Sequence, residues 1–274
     1  KALSYEIDRQ DGEITLAEFT AKGIDLLDNP NGFFMMVEGG KIDWACHAND
    51  AVASIRDTIA FDDAVRVALD FYKKHQDETL VVVLADHETG GMSIGFAGTQ
   101  YDTFFSKLKS QKGSYIAFDS YLAEYKKTHA AETAKFDDIA AKVTEFFGFR
   151  FLSDERIVEL ESKAKGGDSA AAQELELAVK PREMKELRSA FAQTMKGAKE
   201  RSSDEETYLL YGEYEPLTIS LTHILNRKAG IGWTTYAHTG VPVPVSAIGV
   251  GQETFNGYYD NTDVHAKMKA AMGP

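Results

Sequence analysis

The sequence predicts an α/β fold: a mostly parallel central sheet flanked by helices on both faces and interrupted by a helical insertion. Three observations predict it. Two short apolar runs, "GFFMMVEG" (32–39) and "TLVVVLADH" (79–87), look like buried strands, the second with five Val or Leu in succession. Segments of helical period lie before and between them, and helix–strand alternation favours a parallel sheet covered on both faces. From about 100 to 210 charged, Ala- and Lys-rich helical segments take over, which suits a cap better than further strands.

The elements follow in order. "LAEFTAKGIDLLDN" (16–29) has apolar residues at helical spacing and runs into Asn-Pro-Asn-Gly, a strong turn signal. After the first strand a helix is expected over about 48–75, closing on Lys73, Lys74 and His75, cations that suit a helix C-terminus. Within the insertion, "KAKGGDSAAAQ" reads as a loop. The sheet pattern resumes after "PLTISLTHILNRKAGIGW", with "VPVSAIGVG" (243–251) as a strand and "DVHAKMKAAMG" as a closing helix. The expected organisation is therefore core at 1–99, insertion at 100–210 and core again at 211–274.

Composition narrows the functional classes. With 274 residues and 43% hydrophobic content the chain can bury a sizeable core. A net charge of -13 argues against nucleic acid or an anionic membrane as partner, since both attract clustered Lys and Arg. The single Cys46 rules out an intramolecular disulfide, and no apolar run is long enough to span a membrane. The chain opens on Lys1 in a polar stretch with neither an initiator Met nor a signal peptide, so it is expected to be processed or cut from something longer.

The chemistry concentrates in "VEGGKIDWACHAND" (37–50). Glu38 ends the first strand, and Asp43 and His47, four apart, share one face of any helix that starts there. Asp86 and His87 end the second strand, at the sheet edge where open α/β folds bind ligands. His238, in "YAHTGVPVP", directly precedes the last strand. Each motif alone also reads as capping or chance pairing. Together, at strand ends, they point to metal: mixed N/O ligands suit zinc, and a carboxylate with water suits magnesium. Two metals about 4 Å apart form a clamp for phosphoryl chemistry.

"GFFMMVEGGKIDWACHANDA", "VVVLADHETGG" and "HTGVPVPVSAIGVG", in that order, resemble the alkaline phosphatases. The similarity covers about residues 15–98 and 212–272 and not the insertion. The resemblance implies an alkaline-phosphatase-like fold and phosphomonoester hydrolysis with two Zn2+ sites and one Mg2+ site. Asp43, His47 and His238 would hold the first zinc, Asp86 and His87 the second, and Glu38 the magnesium. In that family a serine attacks the phosphomonoester, the phosphoserine is then hydrolysed, and an arginine clamps the phosphate oxygens.

The family carries its nucleophile, an aspartate shared between metals, a second magnesium carboxylate and that arginine before the "VEG" strand. Only 37 residues precede Glu38 here, and none resembles the nucleophile loop. The chain is therefore expected to be the C-terminal part of such an enzyme, with little or no activity alone and an uncovered apolar edge. A homodimer, or the missing N-terminal part of the same protein, would be its partner. The family also implies a periplasmic or extracellular parent. Two other readings stay open: a related metal-dependent phosphodiesterase or sulfatase of the same superfamily, or a non-catalytic metal-binding fragment.

Other signals read more plainly. Asp168-Ser169-Ala170-Ala171 copies the nucleophile motif out of family order and is expected to be a helix cap. "DGEITLAEF" (11–19) copies half an EF-hand loop but puts Ile7 and Arg9 where calcium ligands belong, so a turn and a Thr15 cap are expected. Gly249 and Gly251 begin a dinucleotide fingerprint that Phe255 breaks. Cys46 and Trp44 are expected to pack, and His75, His129, His223 and His265 to be surface or capping residues on helical stretches.

Overall fold

The computed structural model of the protein describes residues 2–197 and 204–272; residues 198–203 of the expected insertion and Gly273 of the expected closing helix lie outside them. Helices α1 (Leu16–Leu27), α2 (Gly40–His47) and α3 (Ala51–Tyr72) lead into strands β1 (Leu80–Leu84), β2 (Glu88–Thr89) and β3 (Ser93–Ile94). A helical stretch follows, with α4 (Tyr115–Thr128), α5 (Ala140–Phe147), α6 (Asp154–Lys165), α7 (Ser169–Leu175), α8 (Pro181–Lys196) and α9 (Glu205–Tyr211). Then come α10 (Pro216–Ala229), β4 (Ile231–Gly232), β5 (His238–Thr239), β6 (Val245–Gly249) and α11 (Asp263–Ala271).

Local chemistry sets several boundaries as the sequence suggests. Thr15 and Glu18 form a reciprocal capping box, with the Glu18 N–H donating to Thr15 Oγ1 at 3.1 Å and the Thr15 N–H to Glu18 Oε2 at 2.7 Å. The EF-hand look-alike is thus a turn feeding a capped helix. Asp168 Oδ1 accepts from the Ala170 and Ala171 N–H groups at 2.9 and 3.0 Å, which makes "GDSAAA" the start of α7.

The α/β class holds, but the strands do not pair as a mostly parallel sheet. Among the described residues they form three two-stranded antiparallel ribbons, β1–β6, β2–β5 and β3–β4. Leu80 faces Gly249 and Leu84 faces Val245; further on, Thr89 faces His238, and Ile94 faces Ile231. The ribbons therefore follow one another along the same two segments, 80–94 and 231–249. The physical reason for the difference is that a Val/Leu run carries no information on strand direction; β1 is also only partly buried along its length, not fully as the run suggests. Likewise, "GFFMMVEG" is extended but has no ladder partner among the described residues, and Phe34 and Met36 stay exposed. The helix expected over 48–75 is α3, and α2 stands apart from it, because the chain turns at Asn49 and Asp50.

The largest buried cluster lies among the helices. Phe118 and Leu122 of α4, Val143 and Phe147 of α5, Leu187 and Phe191 of α8 meet Leu217, Leu221, Ile224 and Leu225 of α10, along with Ala51 and Val52 of α3. Helix α10 is buried nearly all round, and its sequence, apolar with small hydroxyls, carries no charge before Arg227. This central helix is the wall against which the segment leading to β5 rests.

One buried polar group joins the helical stretch to the start of α3, next to α2. Asp50 is fully buried at the N-cap of α3, where its carboxylate accepts from the Ala53 N–H at 3.0 Å, Gln111 Nε2 at 2.8 Å and the Tyr115 N–H at 2.9 Å. Burial pushes its carboxyl above the ordinary range, and these three donors work the other way. Replacing Asp50 with Ala removes the cap and strands two buried donors. Asp50→Ala is expected to cost about 2–5 kcal/mol in urea denaturation, and a loss below about 1 kcal/mol would contradict this role.

Candidate metal centre

Two pieces of local structure build the site. Helix α2 places Asp43 and His47 one turn apart on one face, as the spacing predicts, with His47 Nε2 3.4 Å from Asp43 Oδ1. The β2–β5 ribbon supplies the rest. Its register sets Thr89 opposite His238, and alternation along the strand brings His87 to the same side as Thr89. The turn between β2 and β3 needs glycine at 90: φ is +85°, and a Cβ there would meet the Trp233 ring at 2.7 Å and the Cys46 carbonyl at 2.8 Å.

The side chains converge. Ligand atoms of Asp43, His87 and His238 all lie within 4.8 Å of one another. His238 Nε2 is 3.1 Å from His47 Nε2 and 3.7 Å from Asp43 Oδ1, and the His87 and His238 rings stack with centroids 3.5 Å apart. Asp86 is exposed beside them, its Oδ2 3.3 Å from His87 Nε2. The five residues proposed from sequence for the two zinc sites thus form one continuous group, with His87 linking Asp86 to the rest.

Hydrogen bonds fix which ring nitrogens face inward. His47 Nδ1–H donates to the Tyr236 carbonyl at 2.6 Å, which in the neutral ring leaves the lone pair on Nε2. The single Thr89 hydroxyl proton goes to Asp43 Oδ1 at 2.6 Å, so across 3.3 Å His87 Nδ1 donates to Thr89 Oγ1. In the neutral ring the lone pair of His87 is then on Nε2, which faces Asp86 Oδ2 at 3.3 Å. A ligating histidine that gives its second N–H to a carbonyl or hydroxyl is the usual outer support of a metal site. The donor set of imidazole nitrogens and carboxylate oxygens therefore fits zinc.

Glu38 lies elsewhere. It precedes α2, its carboxylate lies close to Gly40, and it lines a cavity of about 630 Å³ with Glu6, Arg9, Lys41, Trp44 and Asp57. No hydrogen bond links it to the histidine cluster among the described residues. In the same cavity wall Lys41 sits between the rings of Tyr5 and Trp44, 4.4 and 4.1 Å from their centroids. Trp44 is half exposed, contrary to the expectation of a core position, because a cation and not an apolar layer covers its ring.

Cys46 packs as expected, its Sγ 3.2 Å from Ser54 Oγ, with the thiol pushed up chiefly by burial. His223 departs from the surface expectation: it faces Asn49 at 3.0 Å, and burial, with a smaller contribution from Arg227, pushes it down to about 4. Thr89, Asn49 and Tyr236 also shape the site, without being marked by the motifs. Thr89 was within reach, since strand alternation pairs it with His87. Asn49 and Tyr236 act through backbone contacts between distant segments, which leave no local signal.

The fold and site together define an α/β protein with a cluster of imidazoles and carboxylates gathered at a strand end. The family model described as alkaline phosphatase matches residues 1–273, and the chain belongs to the alkaline phosphatase family. The match runs through the helical stretch, so the likeness extends further than the two blocks of motif suggested. Alkaline phosphatase 3 of Bacillus subtilis is 31% identical over 271 residues, covering 98% of this chain and 46% of that protein. The repressible alkaline phosphatase of Saccharomyces cerevisiae is 26% identical over 278 residues, covering 96% and 42%. Among solved structures, a cold-active alkaline phosphatase from the psychrophile Shewanella sp. superposes with a TM-score of 0.67 at 28% identity, covering 98% of this chain and 53% of that one. The Thermus thermophilus alkaline phosphatase shares the fold with a TM-score of 0.68 at 22% identity, covering 98% and 50%. The chain spans about half the length of the curated relatives it matches.

The buried carboxyl behind Glu38 gives a pH test. Asp57 is raised from 3.8 to about 6, mainly by burial, with repulsion from Glu6 adding to it and the Glu6 N–H and Lys41 opposing it. A carboxyl raised in the folded state favours folding below pH 4, and that contribution is lost as pH rises through about 6. Asp57→Asn is expected to flatten the stability change between pH 4 and 6 and to raise stability at pH 7–8. An unchanged slope in urea denaturation across that window would contradict it.

Proposed function

We propose that the chain carries the metal-binding part of a phosphomonoester hydrolase. Asp43, His47 and His238 hold a first zinc, Asp86 and His87 a second, and Glu38 a magnesium. The observation that carries the reading is the convergence of Asp43, His47, His87 and His238, with two imidazoles turned inward by outer hydrogen bonds. When bound, the two zinc ions supply Lewis acidity and neutralise charge on the phosphoryl group. The protein's own part is orientation: Tyr236 aims His47, Thr89 holds Asp43 and His87, and β5 presents His238.

The group as built supports metal binding more directly than turnover. No serine hydroxyl bonds to the cluster among the described residues; the hydroxyl that does is Thr89, its proton committed to Asp43. Ser169 begins α7 behind the Asp168 cap. The chain taken alone is therefore a zinc binder with little turnover. A phosphodiesterase or sulfatase of the same superfamily would use a similar ligand set, and the nucleophile would separate them. The exposed Leu26, Phe34 and Met36 suit cover by further polypeptide, from a longer parent or a second copy. An exported parent fits the family; among the described residues no helix is long and apolar enough to cross a membrane.

The test is paired: metal content by mass spectrometry and p-nitrophenyl phosphate hydrolysis at alkaline pH on the purified chain. Bound zinc, less of it in His238→Ala, and turnover near the uncatalysed rate are expected. Unchanged zinc in His238→Ala would overturn the ligand assignment, and robust zinc-dependent turnover would mean that this chain supplies its own nucleophile.

A further inference from the structure

We propose that Asn49 is the positioning residue of the metal centre: one carboxamide sets the spacing between the helix that presents Asp43 and His47 and the segment that presents His238. The inference rests on the metal reading above. Asn49 is 2% exposed, and its φ of +49° is left-handed, a conformation that Asn tolerates better than most residues.

Every polar group on Asn49 is used. Its Nδ2 donates to the Cys46 carbonyl at 2.9 Å and to the Thr235 carbonyl at 3.0 Å. Cys46 immediately precedes His47. Thr235 precedes Tyr236, whose carbonyl orients His47, and the same segment continues into His238. The two segments are 186 residues apart in sequence, so this carboxamide ties together what the chain itself does not. With both amide protons on carbonyls, Oδ1 must accept, and His223 Nε2–H donates to it at 3.0 Å. The Asn49 carbonyl accepts from Asn226 Nδ2 at 2.7 Å, and its N–H donates to the Cys46 carbonyl at 3.0 Å. His223 and Asn226 lie on α10, the most buried helix of the fold, so the hub is anchored to a rigid wall.

Asn49 itself touches no proposed ligand atom. Its effect is on where ligand atoms sit: a shift of about 1 Å between α2 and the 235–238 segment would spoil a site whose bond lengths tolerate far less. Removing the side chain also takes their partner from the Thr235 carbonyl and the His223 N–H, while the Cys46 carbonyl keeps the Asn49 N–H.

Two variants of the full chain test this. Asn49→Gly keeps the left-handed backbone and deletes the carboxamide; Asn49→Asp keeps its shape and an acceptor but loses both donors. Zinc affinity is read by competition with a chromogenic chelator, and ligand geometry by the visible absorption of the cobalt-loaded chain. Each variant is expected to unfold cooperatively, to bind zinc about 10–100-fold more weakly and to show an altered cobalt spectrum. Should Asn49→Gly not fold, Asn49→Asp decides. A folded variant with affinity within about twofold of wild type and the wild-type cobalt spectrum overturns the proposal. Wild-type chain that takes up no zinc overturns the metal reading as well, which separates the two failures.

Discussion

The structure depends on the buried junction between α2 and α3. Two adjacent polar residues sit there, Asn49 and Asp50, 2% and 0% exposed. Such groups are costly to bury unless every donor and acceptor finds a partner, and here they do. Asp50 takes N–H groups from α3, from Gln111 and from the start of α4; Asn49 joins the end of α2, the segment before β5 and α10. Fully satisfied polar networks specify a single arrangement more sharply than apolar contact does. The helical core and the histidine–carboxylate cluster are therefore held in one relation through two neighbouring residues.

The cluster follows from that relation and from strand direction. Antiparallel pairing brings the chain leaving β1 alongside the chain approaching β6, so His87 and His238 meet although about 150 residues of mostly helical chain separate them. A parallel arrangement of the same two segments would have placed the residues after β1 beside those after β6 instead. Short ribbons suffice because the clustered side chains are reinforced from outside: by the Tyr236 carbonyl, by Thr89, and by Glu88, which accepts from Thr239 and from the Gly91 N–H. Around a group of imidazoles and carboxylates, such outer bonds decide which atom faces inward.

How much of this was legible in the sequence differs by physical origin. Features written in a few consecutive residues could be read: the Thr15 capping box, the Asp168 cap, and the four-residue spacing of Asp43 and His47. The adjacency of Asp86 and His87 to a strand end was equally plain. Strand direction was not, because Val and Leu in succession mark an apolar strand without saying how it pairs, and β1 is only partly buried. The exposure of Trp44 is not legible either, because Lys41, three residues earlier on the same helix, stacks on it and replaces a core contact with a cation. No local pattern in the sequence marks His223 as buried. Its partner, Asn49, lies 174 positions away, and only the fold makes them neighbours.

The central proposal is that Asp43 and His47 of α2, Asp86 and His87 just before β2, and His238 of β5 hold metal. Zinc-edge anomalous diffraction from crystals grown with zinc tests it most directly. The account predicts an anomalous peak about 2.0–2.2 Å from Asp43 Oδ1, His47 Nε2 and His238 Nε2, with a second beside His87 and Asp86. A peak bound only by other residues, or none in a crystal soaked to saturation, would contradict it.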